Sequence, residues 1–176
     1  MMTDEEFEQK AFKQAEKIVL FSMGLNEESD RGSVLMSAAF LDEYLSSLLK
    51  ANFIDDEKTF TDLCNGTGGL ATFSAKIELC YLLGLISSET RRDLNIIRRI
   101  RNEFAHSMET ISFETESVAN RCRSLNGNYF RGIPTTARNY FSSASFGIAR
   151  LLSRKQYSSK KPEVLNDYSV GNRYNT

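Results

Sequence analysis

Apolar residues recur along this chain at three- and four-residue intervals, the spacing that gathers them on one face of an α-helix. Phe7, Ala11, Ile18 and Phe21 form such a stripe over residues 4–23, with Gly24 as its stop. A second predicted helix opens near Asp30 or Ser33 and runs to about Ala51, its inner face written by Val34, Ala38, Leu41, Leu45, Leu48 and Leu49. A short helical turn over Lys58 to Leu63 and a Gly-rich loop lead to a third helix from Ala71 to Leu83, closed by Gly84. Ser87 or Ser88 caps a fourth that reaches His106, and Glu89 and Asp93 suit the positive end of its dipole. A short helix is expected around Glu116 to Leu125, and Pro134 suits the first turn of a last helix ending near Arg154. Four or five main helices with short connections and no strand pattern predict an all-α helical bundle.

Composition agrees with that pattern. At 41% hydrophobic and 26% charged residues the chain can bury a core. Its first proline is Pro134, so nothing earlier interrupts a helix by deleting a backbone donor. Residues 1–156 read as a single helical domain. From residue 157 the Ser-, Lys- and Asn-rich sequence loses all apolar periodicity, and a mobile polar tail over 157–176 is expected. The three cysteines, Cys64, Cys80 and Cys122, show no paired spacing and lie far from the single histidine. Neither a disulfide framework nor a metal site is expected, and no cofactor is called for. An acidic opening (Asp4, Glu5, Glu6, Glu8) and no apolar run near the ~20 residues of a membrane span point to a cytoplasmic protein with no membrane partner.

The net charge of −1 is unevenly spread. Residues 1–30 hold eight acidic and three basic side chains, whereas residues 121–161 hold nine basic ones and no acid. Ion pairing within the fold or a dimer is one account of that segment, and a surface for nucleic acid is the other. Arg121, Arg123, Arg131 and Arg138, with Tyr140 and Phe141 beside them, are the candidate binding surface. The last helix, with Phe146, Ile148, Leu151 and Leu152 continuing that apolar run, is the expected face for a homodimer.

The loop Asn65-Gly66-Thr67-Gly68-Gly69 precedes a helix but lacks the Lys-Ser/Thr pair of a phosphate-cradling P-loop, since Leu70-Ala71 follow. It reads as a tight turn needing positive φ. The fourth helix carries the most information. At about 100° per residue, Leu94, Ile97, Ile100, Phe104 and Met108 share one arc, and Arg101 falls inside it. A guanidinium facing a core needs an acidic partner. Asp42, at the edge of the second helix's stripe, is the expected one, with Glu43 less favoured. His106 ends the helix where the dipole favours its cation, and Asn102 lies one turn before it.

Several of these motifs occur together in a known order. Asp42-Glu43, the run from Asn65 to Ile77, Tyr81 to Ile86, Ile100-Arg101-Asn102-Glu103-Phe104-Ala105-His106 and Ile111-Ser112-Phe113 resemble the mannitol operon repressor family of bacterial regulators over residues 32–125. The resemblance implies an all-α transcriptional regulator that lacks a DNA-reading domain and works through protein partners. Arg101-Asn102-x-x-x-His106 is also similar to the motif of HEPN domains, helical bundles in which an arginine, a polar residue and a histidine form a metal-independent ribonuclease site across a dimer. That second resemblance implies catalytic roles for Arg101, Asn102 and His106: histidine to move the 2′-hydroxyl proton, arginine to hold charge on the phosphate. It also implies the alternative of an RNA-binding module without activity.

Overall fold

The computed structural model describes residues 4–126 and 135–164. The described residues form seven α-helices and no strand: α1 (Asp4–Gly24), α2 (Asp30–Asn52), α3 (Glu57–Cys64), α4 (Phe73–Leu82), α5 (Ser88–His106), α6 (Glu116–Arg123) and α7 (Ala137–Ser158). The expected bundle is present. The short segments around residues 60 and 120 are full helices, so the number exceeds the four or five main ones expected.

Local chemistry explains where the helices start. Ser29, Asp56, Thr72, Ser87 and Thr136 each accept the backbone N–H three residues on, satisfying a donor that the first helical turn leaves free. Gly84 ends α4 at φ +68°: its N–H meets the Tyr81 carbonyl and the Leu85 N–H that of Cys80, both at 2.9 Å. Gly24 is the last residue of α1, as expected, but not as a left-handed cap. It is helical at φ −60°, and the chain passes through a 3-10 turn, Leu25–Glu27, before Ser29 caps α2.

The core lies between α2, α5 and α7. Leu41, Leu45, Leu48 and Leu49 of α2 meet Leu94, Ile97, Ile100 and Phe104 of α5 and Phe141, Ile148 and Leu152 of α7, all fully buried. Phe113 ties the far end together, its ring 5.8 Å from Phe104 and 5.4 Å from Phe141. α1 packs along α7 and reaches α2 through its side chains, where Phe21 stacks on Phe40 at 3.9 Å. α4 closes the opposite side against α2 and α5.

Of the expected dimer face on α7, Phe141, Ile148 and Leu152 belong to the core, whereas Tyr140, Phe146 and Leu151 are only partly buried. The polar tail does not begin at Tyr157: α7 continues through Ser158, Asn52 Nδ2 donates to Ser159 Oγ at 2.9 Å, and Lys161 pairs with Asp55 at 2.7 Å. Residues 165–176, Pro134 and Arg131 fall outside the described residues. No described helix is long and apolar enough to cross a membrane.

Candidate functional site

A cleft of about 610 Å³ opens between α2, the start of α4 and the second half of α5. Leu35, Ala38, Ala39 and Asp42 line it from α2; Ala71, Thr72, Phe73 and Ser74 from the α4 N-terminus; Arg98, Arg101 and Asn102 from α5. The turn leading to α4 depends on its glycines. Gly66 sits at φ +58°, and a Cβ at Gly68 would run into the carbonyls of Asp62 and Leu63. The loop is therefore a spacer that seats α4, as its composition predicts.

Asp42 and Arg101 both reach this cleft but do not pair. Asp42 Oδ2 accepts from Lys76 Nζ at 2.7 Å instead. Lys76, only 5% exposed, comes from the inner face of α4, one position before Ile77 and four before Cys80. Asp42 Oδ1 is buried and has no hydrogen-bond partner among the described residues. Arg101 is exposed, and its Nη1 donates to Asn102 Oδ1 at 3.0 Å. The helical arc does contain Arg101, but the elements facing it there are the short Ala38 and Ala39, which leave open space where a core contact was expected. Met108 departs from the arc for another reason: α5 ends at His106, and Met108 lies fully exposed beyond it.

His106 is exposed at the end of α5 and takes no part in lining the cleft. Within one chain the structure brings Arg101 and Asn102 together in the cleft, while His106, one turn beyond Asn102, is not among the residues that line it. Asn95 and Glu78 extend the polar edge. Asn95 Nδ2 donates to Glu78 Oε1 at 3.2 Å, Arg98 Nε donates to Asn95 Oδ1 at 3.1 Å, and Arg91 pairs with Glu78 at 2.5 Å. The Arg91 hydrogen bond is the main cause holding the Glu78 carboxyl below the usual glutamate range.

The candidate basic surface is largely committed to the fold. Arg121 pairs with Glu103, which also accepts from Ser117 Oγ at 2.6 Å. Arg138 donates to Asp30 Oδ1 and to the carbonyls of Leu25 and Glu28, each at 2.8 Å. Arg123 donates to Asn120 at 3.0 Å, and Tyr140 packs partly buried against the core. Of the nine basic residues in 121–161, Arg121, Arg138 and Lys161 thus pair with acids of the fold, and Phe141 is buried in the core.

Three polar features escape the sequence reading. Lys76 is one, legible in principle from its register with Ile77 and Cys80. Asp93 is the second: its side chain is fully buried, accepts from Arg92 Nη2 at 2.9 Å and Nε at 3.1 Å, and receives the Asn126 N–H at 3.2 Å. The third is the Asp30–Arg138 contact, whose partners stand more than a hundred positions apart. The cysteines offer no reactive thiol, since burial pushes Cys80 and Cys122 up to about 12 and raises Cys64. No metal-holding group of three or more His, Cys, Asp or Glu occurs among the described residues.

The architecture and the motifs have counterparts in known proteins. The solved structure of the MtlR–HPr complex from Escherichia coli contains a chain of the same fold, with a TM-score of 0.60 and 15% identity over 84% of this chain and 99% of that one. No curated protein sequence matches. The sequence model of the mannitol repressor family, however, matches residues 16–140, which span both walls of the cleft and the core helices behind it. The chain belongs to the mannitol repressor family.

Proposed function

We propose that this protein is a transcriptional regulator of the repressor type, that it carries no DNA-reading element of its own, and that it acts by docking a protein partner, HPr. The family match over residues 16–140 carries the proposal. The Escherichia coli relative of the same fold, solved as a complex with HPr, supports the choice of partner. Two features of the chain point the same way. The Arg-rich helix α5 buries Thr90, Asp93, Leu94, Ile97, Ile100 and Phe104, so it is a core element and not a helix free to lie in a DNA groove. α1 turns Phe12, Val19, Leu20 and Met23 outward, each more than half exposed, an apolar surface of the kind that protein partners cover.

The test is a calorimetric titration of the purified protein with HPr from the same bacterium. One-to-one saturable binding is expected; no heat and no co-elution at high micromolar concentration would remove HPr as the partner. The ribonuclease reading is tested in parallel by incubating the protein with single-stranded RNA in chelator. No cleavage is expected, and His106→Ala should leave both fold and HPr binding intact. Metal-independent cleavage that disappears with His106→Ala would replace the regulator reading with an enzymatic one.

A further inference from the structure

The cleft between α2, α4 and α5 carries a charge that the fold leaves unbalanced. The one carboxylate that lines it among the described residues, Asp42, is already held by Lys76 at 2.7 Å, so that pair adds no net charge. Opposite stand Arg98 and Arg101, three positions apart on α5 and therefore on the same side of one helical turn. Arg98 spends its Nε on Asn95 and Arg101 spends one Nη on Asn102; neither reaches a carboxylate within 4 Å among the described residues. Glu78, the acid whose charge Arg98 does feel, is occupied by Arg91 and Asn95. Most of the donors on both guanidiniums are left facing water. Two like charges one turn apart repel, and α5 places no acid between them to relieve it.

We propose that this cleft binds a small phosphate monoester, with Arg98 and Arg101 as its anion clamp. Paired guanidinium forks match the oxygens of a phosphoryl dianion in geometry and in charge. The volume of about 610 Å³ lies within the few-hundred to ~1,000 Å³ range of small-molecule sites, whereas a polyanion would use an open basic face. Ala38 and Ala39 keep the α2 wall short enough for the organic part of the ester, and the exposed start of α4 adds positive potential to what the arginines already supply. The proposal is independent of the HPr reading, because its ligand is measured with no partner present.

The experiment is titration calorimetry at low ionic strength with glycerol 3-phosphate, inorganic phosphate, glycerol and a short single-stranded RNA as probes. Saturable one-site binding of glycerol 3-phosphate is expected, weakening as salt rises, with none for glycerol. Arg98→Gln and Arg101→Gln should each weaken it about tenfold, the loss of one charge-assisted hydrogen-bonding group. Arg99→Gln, outside the cleft, should not change it. Ala39→Leu keeps every charge and fills the space; since Ala39 is exposed the variant should melt with the wild type and lose binding. Four results would overturn the proposal: no saturable binding of the ester, binding that survives in the Arg98→Gln/Arg101→Gln double variant or in Ala39→Leu, equal affinity for inorganic phosphate, or binding of RNA alone.

Discussion

Asp93 shows how one buried side chain sets a measurable property. Burial is the main cause holding its carboxyl above the ordinary aspartate value of 3.8, while the Arg92 guanidinium and the Asn126 N–H pull it back. Between that ordinary value and the raised one, the native state holds the proton more firmly than the unfolded chain. Stability therefore falls as pH rises through that window, and the cost is complete above the raised value. Asp93→Asn should flatten this slope in urea titrations made from pH 3.5 upward, and Asp93→Ala, which strands the Asn126 N–H, should cost about 1–3 kcal/mol. Asp42 behaves differently, because its cation comes from α4. Lys76→Ala leaves a carboxylate with one oxygen already unpartnered, and we expect a loss of about 2–3 kcal/mol. That is below the ~3–5 kcal/mol of fully buried pairs, since the Asp42 side chain is 32% exposed. A double-mutant cycle should find Asp42 coupled to Lys76 and additive with Arg101.

Among the elements, the junction of α7 with the start of α2 has the most to lose. Arg138, at the first turn of α7, reaches Asp30, Leu25 and Glu28, and the other oxygen of Asp30 takes the Phe113 N–H at 2.9 Å. One guanidinium thereby joins the 3-10 turn, the α2 N-terminus and, through Asp30, the segment before α6. Arg138→Ala should destabilise by about 2–3 kcal/mol, the loss of charge-assisted bonds to partly buried acceptors. Hydrogen exchange should quicken at Phe113 and at residues 28–33 before it does in the middle of α5. Arg138→Lys should recover little of this, because a point charge cannot serve two carbonyls and a carboxylate as a planar fork does.

For the whole molecule, the face that meets a partner follows from which apolar side chains the fold leaves outside. α7 gives Phe141, Ile148 and Leu152 to the core, and α1 turns more large apolar side chains outward than any other described helix. Leu20 and Met23 are 62% and 61% exposed, so replacing both with glutamate should leave the melting temperature within about 2 °C of wild type, as surface changes usually do. The same change should abolish HPr binding in the titration described above. Sedimentation velocity on the same variant distinguishes the alternative: a wild-type dimer that falls to monomer while HPr binding persists would assign this face to a second copy of the chain.

The helices themselves were legible in the sequence because their determinants are local. Periodic apolar residues, Ser87 as a cap, Gly84 past the end of α4 and an absence of early prolines act within one or two turns, and the observed boundaries follow them closely. The family resemblance was legible too, since it rests on short motifs in a given order. The partner of each charge was not. Arg101 lies on the buried arc of its helix by angle, yet it faces open space because the residues opposite are alanines, and Asp42 is claimed by a lysine thirty-four positions away. A helix's inner face follows from periodicity, but which side chains meet across two such faces depends on the distance and rotation between helices. Those are set only when the whole core packs, and here that packing left Arg98 and Arg101 without an acid among the described residues.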